Sequence, residues 1–120
     1  MMSIDIITGC FRCAIDQTVA GLGDWCVTLT SSRDQSRWIQ VTWEHLNLAY
    51  PHGVDLDGAI HVFPTVPDLE LIDVKPGRHL TFAHGADFSL PAVSAFVLKY
   101  SEVVMEERID ETWIMTEEQL

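Results

Sequence analysis

Residues 25–43, WCVTLTSSRDQSRWIQVTW, decide the fold class of this chain. At both ends of the stretch, apolar residues alternate with more polar ones, and this period of two is typical of half-buried strands. The polar run 31–36 separates the two ends, so the stretch predicts an antiparallel hairpin. The inward-facing residues on this interpretation are Trp25, Val27, Leu29, Ile39, Val41 and Trp43.

Further strands are predicted after the hairpin. The apolar phase shifts near Glu44 and His45, which indicates a turn or bulge before a third strand over 46–50. Glycines and prolines then exclude a long helix from the middle of the chain. The expected elements there are strands over 59–63, 69–74 and 79–82, with a turn over 75–78.

Apolar residues recur at spacings of three and four over 3–22 and over 90–108, which predicts an amphipathic helix in each range. Ser89 is the expected N-cap of the second helix. A final strand is expected over 109–115, followed by a frayed tail over 117–120. The sequence therefore predicts one α+β domain over 1–120, with an antiparallel sheet packed against an N-terminal helix and a C-terminal amphipathic helix.

The charge balance limits the classes of ligand. The chain has 120 residues, with 18 Asp and Glu against 7 Lys and Arg, and a formal net charge of −11. Binding of nucleic acid or an anionic membrane surface depends on clustered Lys and Arg, so we expect neither. A hydrophobic content of 48% argues for a folded chain rather than a disordered one.

The compartment is inferred from targeting signals and cysteines. The first residues lack a basic region followed by an apolar run, and no apolar stretch approaches the roughly 18 residues of a membrane span. The odd count of 3 cysteines argues against a disulfide framework. We therefore expect a cytoplasmic protein.

Negative charge is concentrated at the C-terminal end. Over residues 102–120, 7 acidic residues are opposed only by Arg108, which accounts for −6 of the net −11. One interpretation is a solvated face that confers solubility. The other is a surface that steers a basic protein partner. The residues assigned to such a surface are Glu102, Glu106, Glu107, Asp110 and Glu111.

Trp38 is a second candidate for partner binding. It alternates with Ile39, so it points away from the core if Ile39 points inward. Tryptophan is enriched among residues that dominate binding energy at interfaces. The alternative is that the loop 51–63 covers Trp38.

Three motifs suggest chemistry, and each has a structural alternative. Cys10 and Cys13 have a CxxC spacing, but they fall inside the predicted first helix and lack a second ligand pair, so a core role is favoured. His84, Asp87 and Ser89 could be written as a hydrolase triad, but no nucleophile elbow surrounds the serine.

The third motif is the segment 52–61, which holds two histidines and two aspartates. Imidazole and carboxylate together suit zinc, manganese or nickel, whereas a polar turn stabilised by Asp side chains is the alternative and is favoured. The metal-ligand set would be His52, Asp55, Asp57 and His61.

The order of elements resembles the type III secretion chaperone-like fold of small acidic bacterial proteins. The resemblance lies in the N-terminal helix, the W-x-V-x-L and W-I-Q-V strands at 25–29 and 38–41, and the closing amphipathic helix. It implies an α+β binding module, commonly a homodimer, that holds a client segment against sheet and helix surfaces. It implies no residue-level site.

We therefore expect a non-enzymatic, chaperone-like protein-binding module without a cofactor. An immunity protein that neutralises a basic toxin is one alternative. A small metal-dependent enzyme that uses the segment 52–61 is the other.

Overall fold

The computed structural model describes residues 3–19, 25–50, 66–85 and 87–119. The elements are α1 (Ser3–Val19), β1 (Trp25–Thr30), β2 (Trp38–Val41), β3 (His45–Ala49), β4 (Leu69–Lys75), β5 (His79–His84), α2 (Leu90–Val103) and β6 (Ile114–Gln119).

Within these ranges, the strands form one sheet of six in the order β4-β5-β3-β2-β1-β6. All neighbouring strands are antiparallel. Both helices pack against this sheet, which confirms the predicted α+β fold. β1 lies between β2 and β6, so the last strand of the chain pairs with the first.

The core lies between the helices and one face of the sheet, where the alternating apolar residues of the strands meet α1 and α2. The Phe82 ring of β5 meets the Phe96 ring of α2 edge-on, with centroids 5.3 Å apart. The Tyr100 hydroxyl donates to the Ala49 carbonyl at 2.8 Å, which ties α2 to the end of β3. The fully buried residues include Ile7, Phe11, Leu29, Ile39, Leu46, Leu48, Leu80 and Tyr100.

The opposite face of the sheet carries a row of polar side chains across four strands. The Gln40 amide donates to Thr28, the Asn47 amide donates to Gln40, and the Thr81 hydroxyl donates to Asn47, at 3.5, 3.1 and 2.7 Å. These residues are paired laterally by the strand register. In the described part of the chain, no helix packs on this face.

The helix α2 begins as predicted but ends earlier. The Ser89 side chain accepts from the Ala92 N–H, and Pro91 lies in the first turn, where its missing N–H costs little. The helix ends at Val103 rather than near residue 108. The chain reverses at Glu106, which has a φ of 56°, and the Glu107 N–H donates to the Ser101 carbonyl.

The C-terminal strand was predicted in the wrong place. The structure has β6 over Ile114–Gln119, so most of the expected frayed tail is a paired strand. The polar residues Glu117 and Glu118 give no strand signal in the sequence, but hydrogen bonds to β1 stabilise the strand there.

Trp43 was also assigned wrongly. It lies in the turn between β2 and β3 and is 41% exposed, because β2 ends at Val41. The Thr42 N–H donates to the His45 carbonyl and closes that turn, which explains the shift of phase in the sequence.

The turn over 75–78 is confirmed. The Arg78 N–H donates to the Lys75 carbonyl, and Gly77 has a φ of 75°, which favours glycine. The strand predicted over 59–63 lies outside the described residues.

The difference in burial between two valines of the sheet predicts different losses of stability when each is replaced by alanine. Val27 of β1 is 1% exposed, whereas Val74 of β4 is 39% exposed. We expect Val27→Ala to lower the free energy of unfolding by about 2 to 3 kcal/mol, because it removes buried methyl groups and leaves a cavity. The matched Val74→Ala should cost less than about 1 kcal/mol. Urea denaturation measures both, and equal losses would contradict this placement of the core.

Candidate protein-binding groove

Glu107, one of the acidic residues assigned to a partner surface, is bound inside the protein. Its carboxylate accepts from Ser31 at 2.6 Å, from Arg33 at 3.2 Å and from Arg37 at 3.1 Å. Only 10% of its side chain is exposed. These bonds tie the turn after α2 to the connection between β1 and β2, which is a structural role.

The other carboxylates of the acidic end differ in their partners. Asp110 is paired with Arg33 at 3.1 Å, and Glu102 is 3.8 Å from Arg108. Glu106 and Glu111 are exposed and have no ion pair within the described ranges. The predicted surface is therefore partly neutralised by the protein itself.

The pKa values agree with this division. Burial raises the pKa of Glu107, but the hydrogen bonds from Ser31, Arg37 and Arg33 outweigh burial, so the net pKa is lowered. The Thr112 hydroxyl and N–H lower the pKa of Asp110, and Arg33 adds to the effect. Both groups are therefore charged at neutral pH.

An apolar groove of about 380 Å³ lies between the N-terminal half of α1 and the start of β6. Its lining includes Ile6, Leu29, Trp113 and Met115, and acidic side chains stand around it. The acidic residues are Asp5, Asp110 and Glu111. We call this feature the acidic groove.

Within the described ranges, the acidic groove has polar groups without partners and open space in its wall. The Trp113 indole N–H is buried and has no hydrogen-bond partner among the described residues. Gly9 lies in the wall, and a Cβ added there would meet nothing within 4 Å. Asp5, on the rim, is exposed and makes no ion pair in the described part of the chain.

Trp38 lies on the sheet face opposite the helices, as the alternation predicted. Its ring is half-buried and packs beside the His79 ring, with centroids 6.1 Å apart. In the register of β1 with both neighbours, Thr30 stands opposite Trp38 on one side and opposite Ile114 on the other. Whether the loop 51–63 covers Trp38 concerns residues outside the described ranges.

The CxxC cysteines lie inside α1. Cys10 is buried in the core, and Cys13 is half-buried with its thiol donating to Glu117 at 3.1 Å. Burial raises the pKa of Cys10 to about 12. Burial and the Glu117 carboxylate raise the pKa of Cys13 to about 11. Neither thiol is activated as a nucleophile, so these residues serve packing.

A second cleft, of about 520 Å³, lies near the other end of α1, beside Trp43, His45 and His84. The His84 Nε2 is 3.0 Å from the Thr42 carbonyl, and burial lowers its pKa. Because a carbonyl can only accept, Nε2 carries the proton, and the neutral imidazole is a structural donor. The Ser89 side chain caps α2 instead of facing His84. The geometry thus gives no support to a triad.

The metal-ligand set His52, Asp55, Asp57 and His61 lies outside the described residues. Among the residues that the structure describes, no group of three or more His, Cys, Asp or Glu is placed to hold a metal ion. In those same residues, no helix has the length and apolar character needed to cross a membrane.

Comparison of the chain with known protein families, with curated proteins and with solved structures found no match.

Sequence reasoning missed the acidic groove because its parts come from distant segments. Asp5 comes from the first turn of α1, and Met115 comes from a strand that the pattern ended too early. One signal was present: Trp113, Ile114 and Met115 form an apolar run with acidic residues on both sides.

Glu107 should contribute to stability above acidic pH. We expect Glu107→Gln to lower the free energy of unfolding by about 1 to 3 kcal/mol at pH 7, because Arg33 and Arg37 lose their shared anion. The neighbouring Glu106→Gln is the matched control and should change it by less than about 0.5 kcal/mol.

The pH dependence of this effect has a definite sign. The folded protein lowers the pKa of Glu107 below the ordinary value of 4.5, so its stabilisation is present above that pH and is lost as the pH falls through the folded pKa. The difference between wild type and Glu107→Gln in urea denaturation should therefore shrink in acid. A difference that stays constant from neutral to acidic pH would contradict this role.

The raised thiol pKa values predict slow alkylation. Cys13 is accessible in part, so its reaction with iodoacetamide reports the thiolate fraction rather than access alone. With a pKa of about 11, only about one thiol in a thousand is ionised at pH 8. We expect modification of Cys13 to be about a hundredfold slower in the folded protein than in urea, as followed by mass spectrometry. Rapid modification of the folded protein would restore a redox or metal role to the motif.

Proposed function

We propose that this protein is a non-enzymatic protein-binding module that engages a basic segment of a partner protein through the acidic groove. The observation that supports it is the combination of an apolar lining with two unpaired carboxylates, those of Asp5 and Glu111, beside it. The partner is a protein, and neither nucleic acid nor a membrane surface suits this charge.

The chemistry of the groove fits lysine and arginine side chains. Such a side chain has an aliphatic stem and a cationic head, and it buries the stem along an apolar surface while the head stays in water. Ile6 and Met115 offer the apolar surface, and the Glu111 carboxylate in the same lining offers a negative charge to the head. A lysine or arginine gains contacts here that an aliphatic or acidic side chain lacks.

The net charge extends this preference beyond the groove. With a formal charge of −11, the protein attracts basic partners and repels acidic ones over distances near the Debye length. Of the acidic end, Glu106 and Glu111 are free to steer a partner, whereas Glu107 is engaged internally. Steering of this kind raises the association rate more than the affinity.

Trp38 extends the proposed binding surface on the open face of the sheet. It shares a lateral row with Thr30 and with Ile114 of β6, and Ile114 is 57% exposed. A partner bound along the β6 edge would therefore face the acidic groove on one side of the sheet and this row, which leads toward Trp38, on the other.

Two roles in the cytoplasm are consistent with this proposal. A chaperone-like protein, commonly a homodimer, would hold an extended client, and an immunity protein would cap a basic toxin. The gene next to this one separates them, because a toxin gene there favours immunity.

A metal-dependent enzyme is the alternative in a different class. It depends on the segment 52–61 and is tested by metal analysis of the purified protein. Stoichiometric transition metal that is lost on His61→Ala would favour the enzyme over the binding module.

Charge reversal in the groove provides the test of the proposal. Glu111→Lys reverses a carboxylate of the groove, and Glu44→Lys reverses an exposed carboxylate beside the other cleft, so both variants have the same net charge. Immobilised wild type should recover one or more basic proteins from the native cell at low salt. Glu44→Lys should recover the same proteins, and Glu111→Lys should lose them. Recovery that is equal for both variants, or absent for wild type, would refute the groove as the binding site.

A further inference from the structure

The two edges of the sheet differ in their openness to another strand. At one edge, the register of β4 shifts between Leu71 and Asp73, and Lys75 stands at the strand end. A bulge and an edge lysine are two devices by which proteins block pairing at an edge. The edge at β4 is therefore protected.

The edge at β6 has neither device. Its six residues pair with β1 in an unbroken register from Ile114 to Gln119, and the strand contains no proline, lysine or bulge. Among the described residues, nothing pairs with its outer side. Every second residue of an edge strand directs its N–H and C=O away from the paired neighbour, so about three residues of β6 offer main-chain donors and acceptors outward.

Side chains at this edge are apolar near its start and acidic near its end. Ile114 is 57% exposed on the open face, and Met115 is 49% exposed on the side of the acidic groove. Glu117 and Glu118 follow. Residues 110–119 include no lysine or arginine, so every charged side chain in this segment is negative.

We propose that an extended, lysine- or arginine-bearing segment of the partner adds to β6 as a seventh strand and inserts alternate side chains into the acidic groove. This inference rests on the proposed function and specifies how the partner binds. Main-chain hydrogen bonds to the edge supply affinity, and the groove between β6 and α1 supplies the preference for basic side chains.

Charge decides between this occupant and a second copy of the chain. Two β6 strands paired edge to edge would bring together two strands that each carry Glu117 and Glu118 and no cation, and like charges on neighbouring strands are destabilising. A strand with basic side chains on the groove side instead meets Glu117, which lies on that side beside Cys13, with an opposite charge. The edge thus favours a basic partner over self-association.

The test uses a synthetic peptide of alternating lysine and valine, capped at both ends and long enough to span β6. One edge of an added strand faces the protein and the other faces solvent. The peptide is therefore also made with N-methyl groups on the lysine amides only, and again on the valine amides only. Calorimetry should show that one methylated form binds about tenfold or more weakly than the unmodified peptide, while the other binds like it.

Variants of the protein test the groove and the charge separately. Gly9→Leu adds a side chain to the groove wall at a position where a Cβ meets nothing within 4 Å, and it should weaken peptide binding severalfold while circular dichroism shows that the protein stays folded. Glu111→Lys should also weaken peptide binding severalfold, and Glu44→Lys should leave it unchanged.

The outcomes separate this inference from the proposed function. Equal binding of both methylated peptides, together with weaker binding to Glu111→Lys, would overturn strand addition and leave the basic-partner function standing. No binding of the unmodified peptide, or equal binding to both charge variants, would overturn both. A dimer by sedimentation in which the outward-facing β6 amides are already protected from hydrogen exchange would assign the edge to a second copy and overturn strand addition.

Discussion

The pairing of β6 with β1 is the contact on which the candidate site depends. It is long-range, because β1 begins at Trp25 and β6 ends at Gln119, yet it runs through all six residues of both strands without a shift. The pairing places β6 beside α1, where the Met115 sulfur lies 3.8 Å from the Cys10 thiol. Without it the acidic groove would have no second wall and the sheet would end at β1.

The contacts of Glu107 hold the segment before β6 close to the strand with which β6 pairs. After α2 ends, the chain reverses at Glu106, and the Glu107 carboxylate then binds the connection between β1 and β2 through Arg33 and Arg37. Arg33 also holds Asp110, three residues further along. The segment that leads into β6 is thus fixed to the strand pair that β6 must join. Two kinds of carboxylate therefore occur at this end. Glu107 and Asp110 bind arginines of the β1–β2 connection, whereas Glu111 is exposed at the groove.

The features that sequence reasoning predicted correctly depend on local signals. The strands around Val27 and Ile39, the turn that contains Gly77 and the N-cap Ser89 each follow from the preferences of a few neighbouring residues. The errors arise where distant contacts decide the outcome. Trp43 fits the alternation of β2, but the Thr42–His45 turn ends the strand first.

The site itself was predictable only in part. The acidic character of the C-terminal end was evident from the sequence, but the sequence could not show that Glu107 is neutralised by Arg33 and Arg37 while Glu111 is left free. That distinction depends on a loop some seventy residues away in the chain. Asp5 joins the same groove through the packing of α1 against the sheet, which charge counting along the chain does not reveal.

An edge strand guarded by carboxylates has a property that one guarded by lysine, proline or a bulge lacks. A bulge or a proline blocks any incoming strand by geometry, whatever its charge. Carboxylates such as Glu117 and Glu118 repel every other copy of the same chain, since all copies have the same charges, but they attract a basic strand. Under the proposed strand addition, the same negative charge would oppose self-association through the exposed Ile114 and Met115 and would favour a basic partner that covers them. On that proposal, resistance to self-association and preference for a basic partner would have one physical origin, the carboxylates carried by the open edge strand itself.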